Sequence, residues 1–428
     1  MILTFGLILI LFALIGTPLF VVIGGAALLG FHSVGLDSVL VINEMYNKIS
    51  GNSILLAIPL FTFAGYILAE SGTPTRLINL SKAFLGWVPG GVAIVALVSC
   101  GVFTAFTGAS GVTIIALGGL LYTVLENEKY PEKFSLGLLT SSGSLGLLFP
   151  PSLAIILYGI IAETSIDKLF IAGIIPGVLL IVMLSAYSIK KGSMSLVSIT
   201  KFSFKNVLKT LIDSCWEVPL PFIIIGGIYS GIFTPTEAAS ITAFYVLVVE
   251  VFIYRELSLF KDIPRIMRES MILVGGILII LGSSLGLTNY LIDQQVPMKI
   301  LGFMQEYITS KYVFLILLNI FLLIVGCLMD IFSAIVVVVP LIKPIAMGLG
   351  IDPIHLGIIF LINLQIGYST PPVGLNLFIA SFRFKQPILK LYRASIPFLI
   401  ILFIALLIVT YIPALSMFLV KLFSSGNL

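Results

Sequence analysis

The chain has 428 residues, 59% hydrophobic and only 10% charged, with a formal net charge of +4 and a mean hydropathy of +1.20. Soluble domains carry roughly 45–50% apolar and about 25% charged residues, so a water-soluble core is excluded. The charge is spread too thinly for a nucleic-acid-binding stripe. At about 20 apolar residues per span, this length holds on the order of ten to twelve membrane helices, and the expected fold class is an all-α polytopic membrane protein. Cys100, Cys215 and Cys327 lie in or beside apolar segments without CxxC spacing, which argues against a disulfide framework or a zinc site. With His32 and His355 as the only histidines, an imidazole-based metal centre has almost no material.

In chain order, residues 2–30 form a first apolar segment, too long and too poor in N-terminal basic residues for a cleaved signal. The stretch from His32 to Asn52 is more polar, with Asp37, Glu44 and Lys48, and fits a helix lying in the interface. A second apolar segment, 54–70, ends at Glu70-Ser71-Gly72-Thr73-Pro74, and a polar patch with Arg76 and Lys82 leads to Trp87-Val88-Pro89-Gly90-Gly91. From Gly91 to Leu125 the chain is apolar but interrupted at Gly108-Ala109-Ser110-Gly111. One straight helix there would run about 50 Å against a hydrocarbon core of roughly 30 Å. A re-entrant hairpin turning at the small residues fits better than a kinked pair of full spans, provided that protein or a wet cavity satisfies its tip.

Orientation follows from the basic loops. Residues 190–209 hold Lys190, Lys191, Lys201, Lys205 and Lys209, and residues 255–268 hold Arg255, Lys261, Arg265 and Arg268. Two apolar segments between them, about 217–233 and 238–254, are joined by Thr234-Pro235-Thr236-Glu237. Both basic loops are therefore expected in the cytoplasm and the Thr-Pro-Thr-Glu turn outside.

Pro-Pro occurs at Pro150-Pro151 and at Pro371-Pro372, each preceded four positions earlier by a glycine, Gly146 and Gly367, 221 residues apart. Gly65 and Gly286 keep that offset, while Pro131 with Pro353 and Gly137 with Gly357 keep it within one residue. Further upstream, Gly101 pairs with Gly326, and Thr104 to Ala109 with Met329 to Ala334, only at an offset of 225. That pairing requires a gap. The loop at 162–168 carries Glu163 and Asp167 against Lys168, whereas 383–393 carries Arg383, Lys385, Lys390 and Arg393. Equivalent loops on opposite sides of the membrane make the two copies inverted repeats.

Successive prolines unwind a helix and free carbonyls of the preceding turn. Thr140, Ser141, Ser142 and Ser144 precede the first break; Asn363, Gln365, Tyr368, Ser369 and Thr370 precede the second. Carbonyl and hydroxyl oxygens without histidine or thiolate suit a small hard cation such as Na⁺. Half-helix N-termini at the same breaks suit an anionic group. Asp330 stands inside an apolar run, where a carboxylate is costly unless paired or used. Its open readings are a cation ligand, a proton carrier, a cap for the second hairpin tip, or a residue at the interface. Lys343, between Pro340 and Pro344, reads as snorkelling to an interface. No arginine falls inside the repeat cores, so an acid would be held by helix ends and hydroxyls, with selectivity supplied elsewhere.

Ile58-Pro59-Leu60-Phe61 with Ala64-Gly65, Phe106 to Gly111, Gly146 to Pro151, Gly231 to Ala239, Asp330 and Gly367 to Pro372 resemble, in order, the large membrane subunit of tripartite ATP-independent periplasmic (TRAP) transporters. The resemblance implies an elevator-type carrier with two re-entrant hairpins in the bacterial inner membrane, driven by two or more Na⁺ ions. It implies three partners besides membrane lipids. These are a small four-helix membrane subunit, expected as a separate polypeptide because the chain starts directly at the large subunit, a periplasmic substrate-binding protein, and an organic acid such as a C4-dicarboxylate or sialic acid. The expected layout is a first helix and arm at 1–53, one repeat at 54–190, a linker with two spans and a second arm at 191–270, the second repeat at 271–382, and a loop with the last helix at 383–428. By position, one Na⁺ site would use Thr107, Ser110, Ser144, Gly146 and Pro150. The other would use Asp330, Ser333, Ala334, Gly367, Ser369, Thr370 and Pro371, with Ser142, Asn363 and Asn376 facing substrate. Rival classes are an intramembrane enzyme, which lacks a second buried catalytic partner for Asp330, an uncoupled channel, and a Na⁺- or H⁺-coupled anion carrier that needs no binding protein.

Overall fold

A computed structural model describes residues 8–9, 11–12, 17–35, 37, 39–51, 53–88, 90–194, 202–296, 299, 302, 310–371 and 373–425. The beginning of the first apolar segment, Pro89, Lys201 and Pro372 lie outside the described residues. All regular structure among those described is helical. By length and composition, eight helices can cross a membrane, or up to nine if the bent pair Glu132–Leu148 and Leu153–Ile161 counts as one. Among the described residues, shorter apolar helices such as Gly91–Thr107, Pro353–Gly367 and Leu375–Phe384 add to these.

One group of helices braces the molecule. It contains α1 (Leu19–Ser33), α2 (Val39–Ser50), α3 (Ala57–Glu70), α12 (Pro235–Val248) and the long α13 (Asp262–Asp293). α13 packs against α1, α2 and α3, and α12 against α3. The stretch read as interfacial does form a helix of its own, α2. α12 opens with a capping box: Thr234 Oγ1 accepts from Glu237 N at 3.3 Å, while Glu237 Oε2 accepts from Thr234 N at 2.8 Å. Proline at the first helical position loses no intrahelical bond, so Thr-Pro-Thr-Glu is a helix start dictated by hydrogen-bond satisfaction. Phe222 on α11 (Pro219–Tyr229) and Phe244 on α12 are 73% and 70% exposed, as expected of a surface solvated by lipid.

Arg76, read as part of a polar patch, is instead the centre of a buried ion cluster at the start of α4 (Thr73–Leu85). Its guanidinium pairs with Glu217, with Glu250 at 3.0 Å and with Glu256 at 2.5 Å, and sits 3.8 Å over the Tyr254 ring. Glu250 lies on a π-helical turn, Val249–Ile253, that extends α12. Burial works against the Arg76 charge, but Glu217 and Glu250 outweigh it and hold its pKa above the usual range. The cluster ties α4 to both helices of the linker.

The second group contains the two hairpins and the two broken helices. α5 (Gly91–Thr107) and α6 (Ser110–Asn127) meet at Gly108-Ala109. The first broken helix follows as α7 (Glu132–Ser142), a 3₁₀ turn at Leu145–Leu148 and α8 (Leu153–Ile161), bent by 48°; α9 (Ile166–Met194) closes the first copy. After α10 (Phe204–Asp213) and the bracing helices come α14 (Lys311–Leu328) and α15 (Ile331–Gly348), meeting at Met329-Asp330. The second broken helix is α16 (Pro353–Gly367) and α17 (Leu375–Phe384), followed by α18 (Ile388–Tyr411) and α19 (Ala414–Ser425).

The copies interlock reciprocally. α7 packs on α18 as α16 packs on α9, and α6 packs on α17 as α15 packs on α8. Ser144 Oγ donates to the Gln365 carbonyl at 3.3 Å across a separation of 221 residues, so two equivalent positions touch. Tyr158 OH donates to the Pro353 carbonyl at 2.8 Å. Advancing from Ser144 to Tyr158 along one broken helix thus means retreating from Gln365 to Pro353 along the other. The two run antiparallel, which is the inversion read from loop charge.

Candidate functional site

Both hairpin tips keep the 221-residue offset of the breaks. Thr107 and Leu328 end the first arms, and Ser110 and Ile331 begin the second arms. Ala109 is therefore the equivalent of Asp330. The gapped pairing of Thr104 to Ala109 with Met329 to Ala334 is corrected. The physical reason is that glycines here mark close contact, not helix ends. A Cβ at Gly146 would collide with the Gly101 carbonyl oxygen and the Ala105 amide, and one at Gly367 would come 2.6 Å from Gly326 Cα. Gly101 and Gly326 both serve their break, but one turn apart, and the true counterpart of Gly326 is Ala105.

Different devices close the two tips. Gly108 ends α5 in the left-handed region, φ 66°, and α6 begins at Ala109 with no side-chain cap. At the second tip Asp330 is the cap: Oδ1 accepts from Phe332 N and Ser333 N, each at 3.0 Å, and Oδ2 accepts from Ser333 Oγ. Tyr368 OH takes the Ile331 amide. Of the readings left open for Asp330, this geometry supports the tip cap directly, and it leaves a half-buried carboxylate beside the break.

Each tip faces its own break. At the first, Leu153 side-chain atoms lie 2.5 Å from where Gly108 would carry a Cβ, and Thr104 Oγ1 donates to the Gly143 carbonyl at 2.8 Å while sharing a 2.7 Å bond with Thr113. At the second, the Gly374 amide donates to the Cys327 carbonyl at 3.2 Å.

Of the first expected site, Thr107, Ser110, Ser144, Gly146 and Pro150 are buried, with Pro150-Pro151 in the cis form. Thr107 bonds Thr113 at 3.5 Å. Ser110 reaches into the other copy and donates to Asn376 Oδ1 at 2.7 Å, which joins a residue expected at Na⁺ site one to one expected at substrate. Of the second, Ser333, Ala334, Gly367 and Ser369 are buried; Thr370 is half-buried with its hydroxyl on the Gly367 carbonyl at 2.8 Å, and Pro371 is exposed. Ser142 is buried and donates to the Leu139 carbonyl at 3.4 Å. Asn363 Nδ2 donates to Asn319 Oδ1 at 2.8 Å, and Asn319 Nδ2 to Thr410 Oγ1 at 3.2 Å. That network staples α16 to α14 and α18, about a turn before the break. Lys343 is half-buried and lines a cavity of about 250 Å³ with Glu163, Thr288 and Asn289, apart from both breaks.

Buried polar atoms without a protein partner collect along the breaks: Ser141 Oγ, Asn363 Oδ1, Ser369 Oγ, Asn376 Nδ2 and both amide atoms of Gln365. Burying such groups unpaired costs on the order of 1–3 kcal/mol each, so the region is built to meet something polar. Among the described residues no group of three His, Cys, Asp or Glu side chains is placed to hold a metal ion; the donors at the breaks are hydroxyl, amide and main-chain oxygens plus Asp330, a set that fits a hard cation. Sequence reasoning missed Thr104, Thr113 and the contact role of Gln365. The 221-residue spacing of Ser144 and Gln365 was the one signal that could have placed the latter.

The fold and site thus define an all-α polytopic membrane protein of two inverted, interlocked copies, with hairpin tips set against broken helices at its centre. Residues 6–415 match the family model for the tripartite ATP-independent periplasmic transporter, DctM component. The chain is 40% identical over 365 residues to the C4-dicarboxylate TRAP transporter large permease protein DctM of Pseudomonas aeruginosa, covering 85% of each. It is 32% identical over 422 residues to the ectoine/5-hydroxyectoine TRAP transporter large permease protein UehC of Ruegeria pomeroyi, covering 97% of this chain and 98% of that one. Among solved structures, the Alcanivorax borkumensis YdaH transporter shares the fold, with a TM-score of 0.63 over 87% of both chains at 12% identity. The chain belongs to the DctM family of TRAP transporter large permeases.

Proposed function

We propose that this permease performs Na⁺-coupled uptake of a small organic acid across the bacterial inner membrane, with substrate delivered by a periplasmic binding protein and with a separate small four-helix membrane subunit as partner. What carries the reading is the pairing of two tips with two breaks, lined by buried oxygens and amides that no protein group satisfies. Thr107, Ser110, Ser144, Gly146 and Pro150 would hold one Na⁺; Asp330, Ser333, Ala334, Gly367, Ser369, Thr370 and Pro371 would hold another. Between them, Ser142, Asn363 and Asn376 would face the carboxylate. Of these, Asn376 has the most direct support, because its Nδ2 is buried without a partner while Ser110 holds its Oδ1.

The bracing helices meet the hairpin-bearing helices along α3 against α5 and α13 against α15, the seam along which an elevator movement of the second group would slide, with the hairpins re-entering the bilayer. In that movement 1–53 and 191–270 would stay fixed together with α3 and α13, while the hairpins and broken helices of 54–190 and 271–382 would travel with 383–428. Relatives are named for substrates as different as C4-dicarboxylates, ectoine and isethionate; each carries an anionic oxygen group, which suits unpaired helix N-termini. The test is uptake into proteoliposomes holding this chain and its small subunit, with and without binding protein and a Na⁺ gradient, across several acids. Uptake should require both. Transport independent of the binding protein would favour a self-sufficient anion carrier, and transport indifferent to Na⁺ would overturn the coupling.

A further inference from the structure

We infer that α10, with the cavity it forms against α4, is a binding site for the headgroup of an anionic membrane phospholipid. α10 presents three distinct faces. Phe204 and Ile212 are 72% and 62% exposed, and Leu208 is exposed between them, so one stripe at four-residue spacing is apolar and uncovered. Val207 and Thr210 are buried on the side that packs against α4. Lys205 and Lys209 flank the apolar stripe, exposed and without an ion-pair partner among the described residues. A short helix with one apolar, one docked and one basic face lies in the membrane interface, where the apolar stripe enters the acyl boundary and the lysines stay at headgroup level.

Between α10 and α4 lies a cavity of about 250 Å³ lined by Asn79, Lys82, Trp87, Asn206, Lys209 and Asp213. Its mouth is framed by Trp87 and Phe202, edge to face at 6.2 Å, amphipathic rings of the kind that settle at the interface. Lys190 and Lys191 end α9 close by, since Gly90 abuts the Ser188 carbonyl. Lys82 is paired with Glu128 at 3.3 Å, and Asp213 contributes one negative charge to the lining. Lys205 and Lys209 offset that charge and leave the rim positive. Asn79 and Asn206 add amide donors. This chemistry of lysines, amides and aromatic rims beside an uncovered apolar stripe suits a phosphodiester whose acyl chains lie along Phe204 and Leu208. The site is separate from the breaks and tips, and rests on no assumption about the transported substrate.

Trp87 and Trp216 are the only tryptophans in the chain, so Trp216→Phe leaves a single reporter inside the site. The full chain carrying that change is placed in nanodiscs of phosphatidylcholine and phosphatidylglycerol, with acyl bromine on one lipid or the other. Trp87 should be quenched preferentially by the brominated anionic lipid, with a relative association about fivefold above phosphatidylcholine, the order expected for one or two lysines at the surface. Lys205→Gln with Lys209→Gln should bring the ratio near one, and Lys209→Arg should keep it. Both lysines are exposed and unpaired, so melting should be unchanged in each variant. Equal quenching by the two lipids, or a preference that survives the double glutamine variant, overturns the assignment. Excess inorganic phosphate, balanced with chloride for ionic strength, should leave the ratio intact; collapse to one would identify a free-phosphate site in place of a lipid site.

Discussion

The two copies share a design and differ in electrostatics. In the first, the tip is closed by glycine, Ala109 leaves the α6 N-terminus uncapped, and the break is sealed inside the protein. In the second, Asp330 caps α15 and places a carboxylate beside a break that opens outward at Thr370 and Pro371. An uncapped helix start carries partial positive charge and unpaired amides, whereas a capped start with a carboxylate is locally negative. One architecture used twice thus sets an uncapped helix start at the first tip, which favours a substrate anion beside the proposed Na⁺ site there, against a carboxylate at the second. Ser110, at the positive end, reaches Asn376 beyond the second break, so the two ends are joined by a hydrogen bond.

The largest expected effect tests the burial half of this comparison. Gly146→Ala should destabilise the protein by about 3 kcal/mol, because backbone of α5 occupies the added methyl's position and a sealed break has no room to relax. Gly367→Ala should cost about half as much, since its break can give outward. Thermal unfolding of the two variants in detergent measures both, and equal losses would erase the distinction.

Exchanging the tips tests the electrostatic half. Ala109 already has the extended backbone of a capping residue, so Ala109→Asp should keep the fold while lowering uptake of an acid about tenfold. Asp330→Asn retains a capping side chain of equal quality and removes the charge. Melting should barely move, while the Na⁺ concentration for half-maximal uptake rises about tenfold. Unchanged Na⁺ activation would leave Asp330 with the capping role alone.

The smallest effect concerns the point where equivalent positions meet. Ser144→Ala removes the bond to the Gln365 carbonyl and should cost about 1 kcal/mol, read from the shift in midpoint of chemical unfolding. A loss several times larger would mean that this contact, more than the packing around it, holds the copies together.

The membrane class, the helix break at Gly108-Ala109, the two Pro-Pro breaks and their repetition were legible along the chain because each is a local signal. Apolar length reports a span, Gly-Ala-Ser-Gly reports a turn, and proline removes a backbone donor wherever it stands. Loop charge also carried the inversion, which the antiparallel course from Ser144 to Tyr158 against Gln365 to Pro353 bears out. Other features needed the folded molecule. The register of the tips was misread because Gly101 and Gly326 look equivalent by residue type, whereas helix ends follow capping. Arg76 looked like part of a polar patch until Glu217, Glu250 and Glu256, well over a hundred residues away, closed around it. Asn363 reads as a site residue by position, yet its amide is directed to Asn319 and from there to Thr410. By itself the sequence determined the membrane class and where the helices break, because those depend on neighbours within a few residues. Only the tertiary structure decided which polar side chains meet, because such contacts depend on how distant helices pack.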